Sequence, residues 1–222
     1  MVRGYILKHN GPKDFQNARA CFLRALALNR HLTNVREELL RIDDVLDVPA
    51  FCEEDAKEVL RQDPEHAFAN FLWGMVRLRR GELDMAEDLF MRSLDKERAA
   101  PAYAGLGGVM LEKGRLDAAE KLLRHSLELD STRLFTWHTL ARLLLATGRV
   151  EEAARALDTV LAAQPEDLDV RLTYIRILIK QSKLEEAASL VSDLLENEDQ
   201  LPPTIQSQLK PLADQLSVAL TK

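Results

Sequence analysis

Six turn-like positions recur at nearly constant spacing: Lys13, Asp47, Gly81, Gly114, Gly148 and Ser182, separated by 34, 34, 33, 34 and 34 residues. A period held this closely marks a linear array of one repeated supersecondary unit. The clearest copy is residues 100–133, AAPAYAGLGGVMLEKGRLDAAEKLLRHSLELDST, in which two amphipathic helical segments flank the turn Lys113-Gly114-Arg115. A lone helix pair cannot bury its apolar stripe, so the second helix of each unit is expected to pack on the first helix of the next. Ala86, Ala119, Ala153 and Ala187 share one register position, where larger side chains would overpack the helix contact at a cost of ~1–3 kcal/mol.

The same register extends in both directions. Upstream, Leu39, Leu40, Cys52, Ala56, Val59 and Pro64 hold their places, with Pro49 expected to open a second helix and DFQNARACFLRALALN (14–29) expected to form another. A first helix over residues 1 to about 9 is ended by Asn10-Gly11-Pro12. Met1 falls at the third position of a unit, so the chain starts inside a repeat, as a fragment or as a natural N-terminal cap. Downstream, Pro202 and Pro203 precede Ile205, Leu209, Leu212 and Leu216, a helical stripe suited to covering the last unit's apolar face, with Pro211 expected to kink it. The expected architecture is all-α and a single array over 1–222: repeats at about 1–32 (partial), 33–66, 67–99, 100–133, 134–167 and 168–201, then a capping helix at about 203–221.

Composition narrows the function classes. With 30% charged and 5% aromatic residues, a net charge of −6 and a pI near 5.5, the chain lacks the bulk positive potential by which most nucleic-acid binders hold phosphate. Two cysteines, Cys21 and Cys52, form neither a disulfide framework nor a metal spacing, and Cys52 occupies the small core slot. The histidines do not converge, since His9 and His31 fall near loops, His66 at a junction, and His125 on a helix facing away from His138. No phosphate loop, HExxH, CxxC or GxSxG motif occurs, so no catalytic residue, metal or cofactor is expected. MVRGYILKHNGP lacks a signal-type apolar core, and no uncharged apolar run reaches 18 residues, so the expectation is a cytoplasmic chain without membrane insertion. That placement does not follow if the chain is part of a longer one.

Residue by residue the unit resembles the tetratricopeptide repeat, a helix-turn-helix of 34 residues. The match runs through Trp137, Leu140, Ala141, Leu144, Gly148, Ala153, Leu157 and Pro165 in one copy, and through Tyr103, Leu106, Gly107, Met110, Gly114, Ala119, Leu123 and Ser126 in another. Trp73, Gly74, Gly81, Ala86, Phe90 and Ser93, then Tyr174, Leu178, Ala187, Val191 and Leu194, carry it in the flanking copies, from which Asn70, Arg77, Arg171 and Ser182 depart. The resemblance implies a right-handed α-solenoid whose first helices line a concave groove and whose second helices form the convex face. It also implies a non-catalytic scaffold that holds a segment of another protein in that groove.

On that assignment the first helices of the four units from 67 to 199 carry Arg77, Arg79, Arg80, Lys113, Arg142, Arg171, Arg176 and Lys180 against Glu112 and Asp169, a net +6. The second helices hold 9 basic and 19 acidic residues, a net −10. Charges that merely solvate each face would account for any one of these residues, whereas a basic groove would attract an acidic segment. At the family's ligand-touching positions stand Phe71, Met75 and Arg79, then Ala104 and Gly108, His138 and Arg142, and Arg176 and Lys180. Two readings stand for Gly105 and Gly108: a bare pocket for a partner's bulky side chain, or close packing of a neighbouring helix. The lysine–asparagine clamp of chaperone-binding members is missing, as Phe71, Met75, Gly105, Phe135 and Thr139 stand there, and so is an asparagine ladder. Self-association into a homo-oligomer through the N-terminal end is the alternative function.

Overall fold

The computed structural model describes residues 12–28, 32, 35, 36, 38, 39, 42, 49–196 and 198–220. Among them are eleven α-helices, a 3-10 turn and no strand. The expected first helix at 1–9, the turn at Asp47 and Val48, His9, His31 and the surroundings of Cys52 lie outside the described residues. Contacts divide the chain into two compact units, Met1–Arg115 and Leu116–Lys222.

The first unit contains α1 (Pro12–Leu28), α2 (Pro49–Gln62), α3 (Ala67–Arg79), α4 (Leu83–Lys96) and α5 (Ala100–Glu112). Helix α2 opens at Pro49 as expected, where a missing N–H is harmless. Helix α1 starts at Pro12, so Lys13 sits in a helical first turn and not in the turn that the register assigns to it. Ala18, Phe22 and Leu26 of α1 share a buried cluster with Val35, Leu39 and Ile42. Helix α3 packs on α2, α4 and α5, and α4 also packs on α5.

The second unit contains α6 (Leu116–Leu129), α7 (Leu134–Ala146), α8 (Val150–Ala163), α9 (Leu168–Lys180), α10 (Leu184–Leu195) and α11 (Pro203–Leu220). Successive helices pack on one another, and α9 also meets α7 and α11. The capping helix is present and runs on through Pro211; its Ile205, Leu209, Leu212 and Leu216 close over Leu172, Ile175, Leu178, Val191 and Leu194. Ala86, Ala119, Ala153 and Ala187 are all fully buried, as close helix approach requires.

Four turns repeat one hydrogen-bond scheme. After α3, Gly81 N–H donates to Leu78 C=O (3.0 Å) and Glu82 N–H to Arg77 C=O (3.0 Å). Gly114 and Arg115 donate likewise to Leu111 and Met110, Gly148 and Arg149 to Leu145 and Leu144, and Ser182 and Lys183 to Ile179 and Leu178. This pair of bonds is the Schellman cap, which needs a left-handed residue just past the helix. Gly81, Gly114 and Gly148 take φ of 74°, 71° and 77° there, and Ser182 takes 60°.

Candidate functional site

In the first unit the sequence-derived positions divide by burial. Phe71 is only 7% exposed, Ala104 is fully buried and Gly108 is buried, while Met75 is half-buried and Arg79 exposed. The rings of Phe68, Phe71 and Phe90 form a column with centroids 6.1 and 6.2 Å apart. Phe90 of α4 is fully buried, and its ring lies against Gly74 of α3 and Gly105 of α5. A Cβ on Gly74 would come within 2.8 Å of that ring, and one on Gly105 within 2.4 Å. Close packing therefore accounts for Gly105, and the reading of it as half of an open pocket is corrected: the Phe90 ring fills the space.

Several of the basic residues assigned to first helices are tied into the fold. Arg77 donates to Glu53 (2.8 Å) and Glu82 (2.7 Å), and Arg80 pairs with the same Glu53 at 2.6 Å. Lys113 reaches Asp84 and Glu87, both at 2.5 Å, and Arg171 lies 3.7 Å from Glu166. In the second unit Arg149 binds Glu120 (2.7 Å) and Glu152 (2.6 Å). Glu53, Glu87 and Glu120 occupy equivalent places in successive repeats, and each grips a cation at or next to the following turn. The sequence signal was the recurrence of an acidic residue at 34- and 33-residue steps, which stops at Ala154. These bonds serve repeat-to-repeat registry, so the raw +6 overstates the charge offered to a ligand.

His138 and Arg142 stand on α7, and Arg176 and Lys180 on α9, which packs on α7 and α11. His138 Nε2 lies 2.9 Å from Thr173 Oγ1. Thr173 gives its own hydroxyl proton to Asp169 C=O at 2.9 Å, so the imidazole carries its proton on Nε2 and donates, leaving Nδ1 as an acceptor. Arg176 Nη2 donates to Gln208 Oε1 on the capping helix at 2.7 Å, a neutral acceptor that no repeat pattern singles out. Burial first, then the charge of Arg142, push the His138 pKa down, and the same two causes lower that of Arg176. Arg142 stands one turn after His138 on α7, which packs on α9, the helix of Arg176; Asp169 opposes its effect at each, and Asp167 at His138. Arg142 and Lys180 are exposed. Burial thus disfavours the charged form of His138, and the charge of Arg142 acts in the same direction. Among the described residues no three metal-binding side chains gather, and no helix is long and apolar enough to cross a membrane.

Two models described as tetratricopeptide repeat match the sequence, one over residues 71–133 and the other over 110–166 and 144–207. No curated protein matches it. Among solved structures, the chain is similar to TTC0263, a thermophilic tetratricopeptide repeat protein of Thermus thermophilus, at 24% identity over 79% of this chain and 95% of that one, TM-score 0.59. It is similar to a tetratricopeptide repeat protein from Parabacteroides merdae ATCC 43184 at 18% identity over 94% of this chain and 81% of that one, TM-score 0.64. The human IFIT1 dimer with PPP-AAAA aligns at 16% identity over 94% of this chain, TM-score 0.69, and this chain spans 51% of it.

Proposed function

Because the chain belongs to the tetratricopeptide repeat family, whose arrays generally serve as scaffolds for contact between proteins, we propose that it is a non-catalytic interaction module that holds an acidic segment of a partner protein on its first helices. The observation that carries this reading is that Arg142 stands exposed one turn from His138 on α7, which packs on α9, the helix of Arg176 and Lys180. A guanidinium offers paired N–H donors that fit a carboxylate. In the first unit Met75 and Arg79 offer a smaller amount of half-buried and exposed surface. Phe71, Ala104 and Gly108 contribute to the core there, not to an accessible anchor.

The test is affinity capture from a lysate of the source cell, with the wild-type chain and the Arg142→Glu, Arg176→Glu double variant, at low and moderate salt. Partners retained by the wild type, weakened by salt and lost from the variant support the reading, provided that helicity and melting are unchanged. Identical capture by both chains overturns it. Recovery of the chain alone, with a mass that grows with concentration, moves the function to self-association.

A further inference from the structure

Three local features set the last repeat and the capping helix apart from the helices before them. At the place where Glu53, Glu87 and Glu120 each grip a cation of the following turn stands Ala154. Lys183, in the position that Arg149 holds one repeat earlier, is therefore exposed with no carboxylate at 154 to meet it. Ser182 takes φ of 60° at the turn where the three preceding repeats use glycine, and a side chain strains left-handed backbone. Pro211 lies inside α11 and has no N–H to give to the carbonyl of Ser207. Each feature lowers the stability of residues 168–220 or of their junction with α8.

The same residues have a core of their own. Leu172 and Leu178 of α9, Val191 and Leu194 of α10, and Leu209 and Leu216 of α11 belong to one buried cluster whose buried members all come from these three helices. Two side-chain bonds tie the helices further, Tyr174 Oη to Glu186 Oε1 at 2.9 Å and Arg176 Nη2 to Gln208 Oε1 at 2.7 Å. Toward α7 runs the His138 to Thr173 bond, a pairing of uncharged groups whose net contribution is modest. In a stacked array the stability of each part is its own folding plus its contact with the neighbour, and both are lowered here at one place. We infer that α9, α10 and α11 form a single cooperative unit that opens at its junction with α7 and α8 while α6, α7 and α8 stay folded. A shared core makes the three helices open together, and the weakened junction sets where the array parts. The inference goes beyond the binding reading and does not depend on it. Arg176 and Lys180 travel with this unit, so its closure decides whether they stand beside α7.

The test is amide hydrogen exchange of the full chain followed by NMR, under conditions where the rate reports the opening equilibrium, comparing the slowest amides of each helix. Those of α9, α10 and α11 are expected to share one opening and to exchange about tenfold or more faster than those of α6, α7 and α8. Three substitutions locate the boundary. Ser182→Gly relieves the strained turn and is expected to slow exchange in α9, α10 and α11 by about fivefold. Ala154→Glu places a carboxylate where it can meet Lys183 and is expected to slow the same helices by about twofold. Gly148→Ala strains the turn between α7 and α8, so it is expected to quicken exchange in α6, α7 and α8 by about fivefold. It should leave α9, α10 and α11 unchanged, because that turn remains folded when the unit opens. If Gly148→Ala quickens all six helices alike, the second unit opens as a whole and the inference is overturned. A gradient in which α11 exchanges well before α9 overturns it too, since that is fraying inward from the chain's end. So does exchange in α9, α10 and α11 that neither Ser182→Gly nor Ala154→Glu slows.

Discussion

The ring of Phe90 occupies the volume that a side chain on Gly105 would need, with a Cβ built there only 2.4 Å from the ring. A glycine in mid-helix costs about 1 kcal/mol relative to alanine, so its replacement would ordinarily stabilise α5. Here the ring is fully buried and cannot swing aside. Gly105→Ala is expected to lower the unfolding free energy by about 1–3 kcal/mol. The double variant with Phe90→Leu should recover part of the loss caused by the methyl group. Urea unfolding of the four chains in the cycle measures this coupling, and additive effects would contradict it.

Ser182 is a departure from glycine at the left-handed turn position, with φ of 60°. Left-handed backbone costs a non-glycine residue roughly 1–2 kcal/mol, partly offset by the extra freedom glycine has when unfolded. Ser182→Gly is expected to stabilise the second unit by about 1 kcal/mol. Gly114→Ala and Gly148→Ala should each destabilise by a similar amount, since no neighbouring atom lies within 4 Å of either new Cβ and only the backbone is strained. Denaturant midpoints compare them directly.

Glu53 has the most partners of the registry carboxylates, meeting Lys57, Arg77 and Arg80 at 2.7, 2.8 and 2.6 Å. The Lys57 ammonium above all, then the Arg80 guanidinium, hold its carboxyl below the usual range against the opposing effect of burial. Its stabilisation is therefore complete above the ordinary glutamate pKa of about 4.3 and is lost as pH falls through the lower folded value. Glu53→Gln is expected to cost about 1.5–3 kcal/mol at neutral pH. The gap from wild type should close as the solution is acidified, which melting curves across an acid series would show.

His138 titrates with the opposite charge change but loses stability in the same direction. Burial, then Arg142, keep its folded pKa below the ordinary value, against the pull of Asp167 and Asp169. As pH falls below about 6.5 the unfolded chain takes the proton first, so stability declines until the folded value is passed and then levels off. His138→Gln should remove this step. Imidazole resonances followed by NMR should report the Nε2–H tautomer at neutral pH, and an acidic ligand at Arg142 should move the titration upward.

Much of this fold is legible in the chain because one unit is written several times. The period locates the turns at Gly81, Gly114 and Gly148, the apolar stripe of 205–216 announces the capping helix, and the four buried alanines mark the helix crossings. Lys13 escaped the register because Pro12 is well suited to a helix start, and that local preference outweighs a faint repeat. The candidate site was less legible. Position within a repeat gives the face on which a residue stands, but not its burial, so Phe71 and Gly108 read as groove and fold as core. Formal charge gives no partner, so the sequence does not show that Arg77 is held by Glu53 and Glu82, or Lys113 by Asp84 and Glu87. Gln208 lies outside the periodic pattern altogether.

The four Schellman turns draw every donor and acceptor from their own helix and the few residues after it. Such a turn closes wherever it is copied, without consulting its neighbours. A gene encoding this chain can therefore gain or lose a whole repeat by duplication or deletion and still yield properly terminated helices. Loss of a single codon within a helix is a different event, because it turns every later side chain of that helix by about 100° and takes its apolar stripe off the adjoining helix. Variation in length among descendants of this sequence is expected in steps of about 34 residues, with intermediate lengths confined to loops.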